Sequence, residues 1–385
     1  MTALLRSDAT ALAAVADLLG PAAPAPRTGS ERAYAVLPRR ARPRYVVPVG
    51  GGHARGAHIR PGAGAAQAAV RLALRTALRT GAGRLLRDRL VVDDGTPAQP
   101  GLRRHLAALL DQDDVDLAIA LGAPRPNRKP VVQVIGADGA TVAWVKVGID
   151  AHTDALVAHE IEALAAVAGR DPALVTPPLL ASGTWQGHPL LALGHIEMRE
   201  SAEALALTPA AIRAIAGPTE DDDVVGGVWW RDLAAGPDDD GAVAALLAAL
   251  APDVAGRRWP FGRWHGDLAP WNATWQGDRL LAWDWERSQT PVPLGLDLIH
   301  NRVQVATIRD QVPVVAALRA AAEAEAATLV ALGYAAEDAP LLARAYAVTL
   351  RARYAADARH GPLGPGAPLA AGIDADPTLG REAVS

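Results

Sequence analysis

A run of five strand-like segments, with one helix inserted after the third, limits what this chain can fold into more than any other feature. The runs "VDLAIALG", "PVVQVIG" and "TVAWVKVG" follow one another from about residue 113, and the Asp-Gly pair within "ADGA" predicts a hairpin between the last two. A helix is expected over about 151–169, and "PLLASGTW" and "HPLLALGHIEM" predict two further strands. This order predicts a compact α+β lobe over 111–196, built on an antiparallel sheet.

Three further segments are expected around this lobe. Residues 1–110 predict an N-terminal cap subdomain with an amphipathic first helix, the strand-like runs "RAYAVLP" and "RYVVPVG", and a long Ala/Leu/Arg-rich helix around 65–88. Residues 197–360 predict a mainly helical lobe, in which the acidic runs "TEDDDVVGG" and "GPDDDG" form turns and the strands lie only around Trp283. The Gly/Pro/Ala-rich residues 361–385 predict a loose, flexible tail.

Composition excludes several classes of protein. A formal net charge of −4 over 385 residues offers no basic excess for phosphate backbones, so no nucleic-acid partner is expected. No stretch reaches the roughly 18 uncharged apolar residues of a membrane span, so no membrane partner is expected. The absence of cysteine excludes disulfides and thiolate metal sites and fits a reducing compartment, which favours a cytoplasmic location.

Three polar side chains cluster around a predicted hairpin in "WHGDLAPWNATWQGDRLLAWDWE". The Gly-Asp pair at 277–278 predicts a two-residue turn that sets Asn272 opposite residue 283 and brings it to Asp284, and Asp267 lies in the loop entering that end. Carboxylate and amide oxygens suit a hard cation such as Mg²⁺ that shares its coordination with substrate phosphates, which leaves Asp267 to accept a proton. Each aspartate alone also fits a loop cap or a strand end, but their convergence favours chemistry.

A lysine and a glutamate in the first lobe predict an ion pair. Lys146 interrupts the apolar strand run "AWVKV". In the helix that follows, Glu160 shares a face with Val157 and Leu164 at spacings of three and four, whereas Glu162 points away. A carboxylate on a buried face needs a partner, and Lys146 lies one strand away; such a pair would position the lysine on nucleotide phosphates. Two unrelated surface charges are the alternative for the pair taken alone.

These residues resemble a known superfamily. "HGDLAPWN" is similar to the catalytic loop, H-G-D followed by an asparagine, of protein-kinase-like small-molecule phosphotransferases of the aminoglycoside phosphotransferase and choline kinase type. The resemblance covers about 113–355 and implies a bilobal protein-kinase-like fold, ATP as phosphoryl donor and Mg²⁺ as cofactor. It implies these roles: catalytic base for Asp267, magnesium ligands for Asn272 and Asp284, phosphate-positioning pair for Lys146 and Glu160, loop support for His265, and buried structural aspartate for Asp297. A helix N-cap is an equal alternative for Asp297.

Two departures limit the resemblance. The loop "GAPRPNRKP", where family members cover the nucleotide phosphates, has no GxGxxG pattern. Its polar side chains either contact the phosphates instead or are solvated residues of a hairpin tip: Arg125, Asn127, Arg128 and Lys129. The motif "DWE" stands where protein kinases have D-F-G, which argues against a protein substrate. The strand "HPLLALGHIEM" resembles the hinge, whose backbone near Leu193 and His195 would meet adenine; an ordinary edge strand is the alternative.

The candidate catalytic residues do not identify the molecule that would accept the phosphoryl group. The additional unit before residue 110 resembles that of bacterial maltokinases and glucosamine kinases, which favours a hydroxyl group of a sugar or amino sugar. An aminoglycoside or amino alcohol is the alternative, with the acidic runs at 220–223 and 238–240 as a rim, although such runs are more often solvated turns. A hypothesis of another class is a non-catalytic nucleotide-binding module. A metal-dependent hydrolase would leave Lys146 and Glu160 unexplained.

Overall fold

The computed structural model describes residues 8–20, 31–49, 88–122, 124–196 and 203–375, and the chain forms two compact units. The first unit comprises Met1–Ile161 and Pro177–Ile196, and the second comprises Glu162–Thr176 and Glu197–Ser385. The fold is α+β: an antiparallel sheet forms the body of the first unit, and the second unit is mainly helical.

An eight-stranded sheet dominates the first unit, and each pair of neighbouring strands in it is antiparallel. Its strands are β1 (Glu31–Arg39), β2 (Arg42–Pro48), β3 (Arg89–Asp93), β4 (Val115–Ala120), β5 (Val131–Gly136), β6 (Thr141–Val147), β8 (Leu179–Trp185) and β9 (His188–Gly194). Strand β7 (Leu174–Val175) belongs to the second unit. The order across the sheet is β3-β1-β2-β4-β5-β6-β9-β8. Within its described residues, the helices are α1 (Asp8–Leu19), α2 (Leu102–Leu109) and α3 (Ala151–Val167), of which α3 continues into the second unit.

Alternating side chains of the strands supply two apolar layers. On β1, Tyr34 and Val36 join the core that α1 and α2 cover, whereas Ala35 and Leu37 of the same strand join Val47 in a second cluster. A strand exposes successive side chains on opposite faces, so this assignment follows directly from the period of two. Strand β1 is therefore buried on both faces, which explains its nearly continuous apolar sequence.

The strands and the helix that the sequence predicts over 111–196 are present. Strands β4, β5 and β6 form a meander, α3 follows, and β8 and β9 complete the lobe. In the segment over 1–110, where a cap subdomain is expected, strand β2 pairs with β4, so the strands of this segment extend the same sheet. The helix expected around 65–88 lies outside the described residues.

The second unit carries seven α-helices within the described residues: α4 (Pro209–Ala216), α5 (Val228–Ala235), α6 (Ala242–Val254), α7 (Leu296–Gln304), α8 (Val314–Leu332), α9 (Ala339–Ala358) and α10 (Ala367–Asp374). It also carries two three-stranded sheets. One contains β10 (Glu220–Asp223), β11 (Arg258–Trp264) and β14 (Gln289–Pro293); the other contains β12 (Ala273–Gln276), β13 (Arg279–Ala282) and β7. In the part of the chain that the structure describes, no helix combines the length and apolar character needed to cross a membrane.

Two segments of the second unit correct the expectations from the sequence. The acidic run at 220–223 forms strand β10 and not a turn, because it pairs with β11, which in turn pairs with β14. The residues 361–385 were expected to form a loose tail, yet helix α10 lies within them. Its side chains Leu369 and Ile373 are buried, so a short apolar stripe anchors this segment.

Candidate active site

The hairpin of β12 and β13 has the register that its turn predicts. Gly277 takes a left-handed φ of +65° in the turn, which glycine adopts without steric cost. Next to the paired strands, the Trp283 N–H donates to the Asn272 carbonyl oxygen at 2.9 Å. Asn272 therefore lies opposite residue 283, one position before Asp284, as the sequence predicts.

Two carboxylates follow β13 directly. Asp284 has a φ of +71°, a left-handed conformation that costs energy in any residue with a side chain and persists where its surroundings hold it. Glu286 is buried, and the two residues bring carboxylate oxygens within 4.8 Å of each other. Oxygen ligands at this spacing suit a divalent cation such as Mg²⁺. Sequence reasoning named Asp284 but missed Glu286, although both belong to the "DWE" motif.

The loop between β11 and β12 is held by an aspartate of helix α7. The Asp297 carboxylate accepts hydrogen bonds from the backbone N–H groups of His265, at 2.7 Å, and Gly266, at 3.1 Å. The N-cap of α7 is Gly295, so the alternative role of Asp297 as N-cap is wrong. Burial raises the pKa of Asp297 to about 7, and the two backbone donors oppose that rise.

His265 connects the same loop to the end of β13. It is fully buried; its Nε2 lies 3.0 Å from the Trp283 carbonyl oxygen, and its Nδ1 accepts a hydrogen bond of 3.2 Å from the Asp267 N–H. This pattern needs a neutral ring with the proton on Nε2. Burial lowers the pKa of His265 to about 4, which agrees with a neutral ring. His265 thus contacts the backbone of Asp267, an arrangement compatible with the loop-supporting role that the resemblance implies.

Asp267 and Asn272 are in direct contact. The Asn272 Nδ2 group donates to Asp267 Oδ2 at 2.8 Å and to the Asp267 carbonyl oxygen at 2.9 Å. With Nδ2 engaged in this way, Asn272 offers its Oδ1 atom as a ligand. The Asp267 side chain is 34% exposed, so a substrate can reach it. Burial, the largest single effect, acts to raise the pKa of Asp267, but the hydrogen bond and charge interaction with His300 and the charge of Arg353 together outweigh it, and the pKa is lowered.

Two residues that the sequence analysis did not name extend the set of hydrogen-bonded side chains that begins at Asp267. His300 of α7 has its Nε2 3.2 Å from Asp267 Oδ1, and Tyr346 of α9 has its hydroxyl oxygen 3.0 Å from His300 Nδ1. A local signal existed for His300: it stands three positions after Asp297 on one helix, so both face the same side. No local signal existed for Tyr346, because it lies 46 positions from His300 in the sequence.

A third residue near Asp267, the cation Arg353, was also missed. The guanidinium of Arg353 on α9 lies over the Trp264 ring, 5.0 Å from its centroid. Its positive charge helps to lower the pKa of Asp267 after the larger effects of burial and His300. Trp264 therefore shields one face of a cation that favours the ionised carboxylate.

In the first unit, Lys146 and Glu160 form the ion pair that the sequence predicts. The Lys146 Nζ atom lies 2.6 Å from each carboxylate oxygen of Glu160. The Glu160 side chain is 0% exposed and the Lys146 side chain 11% exposed. Lys146 projects from β6, whose neighbour is β9, and Glu160 projects from α3. Since neither charge is solvated, each needs the other, and the lysine head is held in one place.

The phosphate-loop prediction needs correction at two positions. Arg128 is buried: its Nε donates to the Leu121 carbonyl oxygen at 3.0 Å and a terminal nitrogen to that of Pro43 at 3.3 Å. Its guanidinium holds neighbouring backbone and is not presented to a ligand. Lys129 is buried as well, whereas Arg125 is exposed and Asn127 is half-buried. Residues 125 and 127 therefore stay candidates for phosphate contact.

The predicted hinge lies at the end of β9. Leu193 is buried and paired on both sides, with Trp144 of β6 and Leu179 of β8. The Gly194 N–H donates to the Pro178 carbonyl oxygen at 2.8 Å. His195 follows the strand, is exposed, and accepts a 3.2 Å hydrogen bond from the Trp144 indole at its Nδ1. Strand β9 is central and not an edge strand, so the edge-strand alternative is wrong.

The acidic run at 238–240 has protein partners. Asp238 accepts hydrogen bonds from the N–H groups of Val243 and Ala244, in the first turn of α6, at 2.9 Å each. Asp239 pairs with Arg359, and Asp240 pairs with Arg351. These contacts account for the run as a helix cap and ion pairs.

Comparison with known proteins yields similar structures only, since no family model and no curated protein matches the chain. A thermostable mutant of aminoglycoside phosphotransferase APH(4)-Ia is 14% identical, with 74% of this chain and 100% of that chain covered and a TM-score of 0.48. An amicoumacin kinase in complex with AMP-PNP and Ca²⁺ is 12% identical, with 73% and 92% covered and a TM-score of 0.42. A glucosamine kinase is 18% identical, with 72% and 86% covered and a TM-score of 0.34. At these values the chain has a likeness to small-molecule kinases that by itself assigns no activity.

Proposed function

We propose that this protein is an ATP-dependent phosphotransferase that moves the γ-phosphate of Mg-ATP to a hydroxyl group of a small molecule. The observation that carries the proposal is the 2.8 Å contact of Asp267 with Asn272, on a loop that Asp297 holds by two backbone hydrogen bonds. Phosphoryl transfer asks of the protein one ionised, positioned base and an oxygen ligand set for the cation that accompanies the nucleotide.

In this reaction Asp267 orients the acceptor hydroxyl and takes its proton. The hydroxyl oxygen forms a bond to the γ-phosphorus, the bond from that phosphorus to the β,γ-bridging oxygen breaks, and ADP leaves with the electron pair. The proton moves to a carboxylate oxygen of Asp267 and from there to solvent. The lowered pKa of Asp267 supports this role, since only the ionised carboxylate accepts a proton.

The residues around the end of β13 fit a magnesium ion. Asn272 offers Oδ1 and Asp284 offers carboxylate oxygens, and Glu286 adds a third oxygen donor within 4.8 Å of Asp284. When bound, Mg²⁺ would neutralise negative charge on the phosphate oxygens. The amide of Asn272 adds no further negative charge, which suits a site that also receives a triphosphate.

In the first unit, Lys146 is the proposed contact for the nucleotide phosphates, and Glu160 holds it in position. An ammonium group held at 2.6 Å from a buried carboxylate keeps one orientation, so it is prepared to contact phosphate oxygens. The backbone at His195 is the proposed adenine contact, and Arg125 and Asn127 are proposed phosphate contacts. The lack of cysteine supports a cytoplasmic location.

A sugar or amino sugar is the proposed acceptor. Trp264 and Trp285 are buried and serve the core, whereas Trp271 is only half-buried and so can stack on a sugar ring. An aminoglycoside or amino alcohol is the alternative, and it loses support because the residues at 238–240 are engaged by arginines and a helix end. A non-catalytic nucleotide-binding module is the alternative from another class.

ADP release from Mg-ATP across hexoses, amino sugars, maltose, aminoglycosides and amino alcohols tests the proposal. Asp267→Asn removes the base and is expected to lower kcat by about 10²- to 10⁴-fold on the accepted substrate. Asp278→Asn is the matched control, because Asp278 is an exposed residue of the hairpin turn. Equal activity in Asp267→Asn contradicts the assigned base. Tight ATP binding without turnover on any acceptor supports the non-catalytic module.

A further inference from the structure

Asp267 is the first of three hydrogen-bonded side chains that run into the core of the second unit. His300 Nε2 lies 3.2 Å from Asp267 Oδ1, and the Tyr346 hydroxyl oxygen lies 3.0 Å from His300 Nδ1. His300 and Tyr346 are buried, and Trp264 packs edge-on to the His300 ring with 6.3 Å between centroids. The polar atoms of His300 and Tyr346 are therefore shielded from water, whereas Asp267 at the outer end of the chain of hydrogen bonds is partly exposed.

The hydrogen bonds indicate which nitrogen of His300 carries the proton. An ionised Asp267 has no hydrogen to give, so His300 Nε2 is the donor of their bond. Tyr346 then donates its O–H to Nδ1, which is the acceptor nitrogen of a neutral ring. Burial lowers the pKa of His300 against the opposing effect of Asp267, which agrees with a neutral ring. Tyr346 thus selects the tautomer that can bind the carboxylate.

We propose that His300 is the positioning residue for Asp267 and that Tyr346 acts through His300. Asn272 binds Oδ2 and His300 binds Oδ1, so the carboxylate cannot turn without losing one of the two hydrogen bonds. Each oxygen keeps further lone-pair capacity for an acceptor hydroxyl. Because a small displacement of a base costs rate more than affinity, the effect belongs to kcat. The inference rests on the proposed function for its kinetic test only.

The kinetic test compares substitutions of His300 and Tyr346 in the full-length protein. His300→Leu is expected to lower kcat by about 10- to 100-fold, with the KM values for ATP and acceptor within about twofold. His300→Gln supplies an N–H donor and is expected to recover much of that loss. Tyr346→Phe keeps the ring but frees the tautomer, so a smaller fall is expected. Unchanged kcat in His300→Leu, or no recovery in His300→Gln when both variants are equally stable, contradicts the proposal.

A spectroscopic test does not depend on activity. In the full-length protein labelled with ¹⁵N-histidine, the His300 signals are identified as those missing from His300→Gln. A neutral ring with the proton on Nε2 near pH 7 is expected for the wild type, and a mixture of tautomers for Tyr346→Phe. A protonated ring, or a proton on Nδ1, overturns the proposal. If the wild type phosphorylates no acceptor, the proposed function fails while this measurement still decides the role of His300.

Discussion

The loop that carries Asp267 has no space for a side chain at Gly266. Its φ is +83°, and a Cβ added there would lie 2.1 Å from the Arg287 carbonyl oxygen. Gly277 in the hairpin turn also has a positive φ, +65°, but an added Cβ would meet nothing within 4 Å. The two glycines therefore separate the cost of backbone conformation from the cost of a clash.

Gly266→Ala is expected to destabilise the protein more than Gly277→Ala does. The left-handed backbone costs an alanine about 1–2 kcal/mol at either position. At Gly266 the clash with backbone adds to that, and we expect a total above about 3 kcal/mol. Denaturant unfolding of both variants measures the difference. Equal losses would mean that the loop can move away from Arg287 at little cost.

Asn272→Ala tests the amide that holds Asp267. The substitution removes the Nδ2 donor at 2.8 Å and the Oδ1 atom proposed as a magnesium ligand. We expect kcat to fall about 10²-fold and the Mg²⁺ concentration at half-maximal rate to rise about tenfold. Steady-state rates over a magnesium titration measure both effects. Gln276→Ala in the exposed part of the hairpin is the control, and an unchanged magnesium dependence in Asn272→Ala would remove Asn272 from the metal site.

Some contacts of single residues could be predicted from the sequence, and others could not. The register that sets Asn272 opposite residue 283 was predictable because a two-residue turn fixes which residues oppose each other. The pair of Lys146 and Glu160 was predictable from one helix face and one strand. The burial of Arg128 was not, because it depends on carbonyl oxygens of other segments, among them that of Pro43, which is 85 positions away.

At the scale of elements, the candidate site lies where helix α7 meets the loop between β11 and β12. Strands β12 and β13 follow from turn chemistry, and α7 follows from its periodic apolar residues. Strand β10 escaped sequence analysis because its four acidic residues suggest a solvated turn, and only pairing with β11 makes it a strand. Helix α7 holds the loop through Asp297, which accepts a hydrogen bond from the backbone N–H of His265. Both side chains are buried and ionisable, and their pKa values shift in opposite directions.

These two groups predict opposing pH dependences of stability. The pKa of His265 is lowered to about 4, so below about pH 6.5 the unfolded chain binds a proton that the folded protein does not, and stability is lost as pH falls. The pKa of Asp297 is raised to about 7, so its contribution is fully present below about pH 4 and is lost as pH rises through about 7. Between about pH 4.5 and 6.5 the two contributions offset each other.

Removing one group should expose the contribution of the other. Relative to wild type, His265→Gln should lose stability as pH rises from about 4.5 to 6.5, and Asp297→Asn should gain it, each by up to about 1.4 kcal/mol per pH unit. Denaturant unfolding at several pH values measures these slopes, and all other titrating groups cancel in the differences from wild type. Slopes of the same sign in both variants would contradict the assigned directions.

At the scale of the whole molecule, the chain forms two units with different constructions. The order of strands and helices predicted the α+β character of the chain. The sequence could not show that β1, β2 and β3 extend the sheet of the first lobe, because strand patterns say which segments are strands and not which strands pair. Helix α10 was missed for a related reason: its Gly/Pro/Ala-rich sequence is typical of a tail until Leu369 and Ile373 find a surface to pack on.

Variants of Lys146 and Glu160 can separate a role of the ion pair in nucleotide binding from a role in stability alone. Lys146→Met leaves the fully buried Glu160 without the ammonium group at 2.6 Å, and we expect a loss of about 3–5 kcal/mol in the free energy of unfolding. Adding Glu160→Leu removes the buried carboxylate as well, so the double variant should recover most of that stability. Glu162→Leu, at an exposed position of the same helix, is the control.

ATP binding measured by calorimetry on the same variants completes the argument. If Lys146 contacts nucleotide phosphates, the double variant should fold like the wild type and still bind ATP about tenfold or more weakly, because a buried ion pair can be replaced for stability but not for recognition of charge. Stability and ATP affinity that recover together would show the pair to be a structural contact alone. Affinity lost in the stable double variant would place the nucleotide phosphates at Lys146.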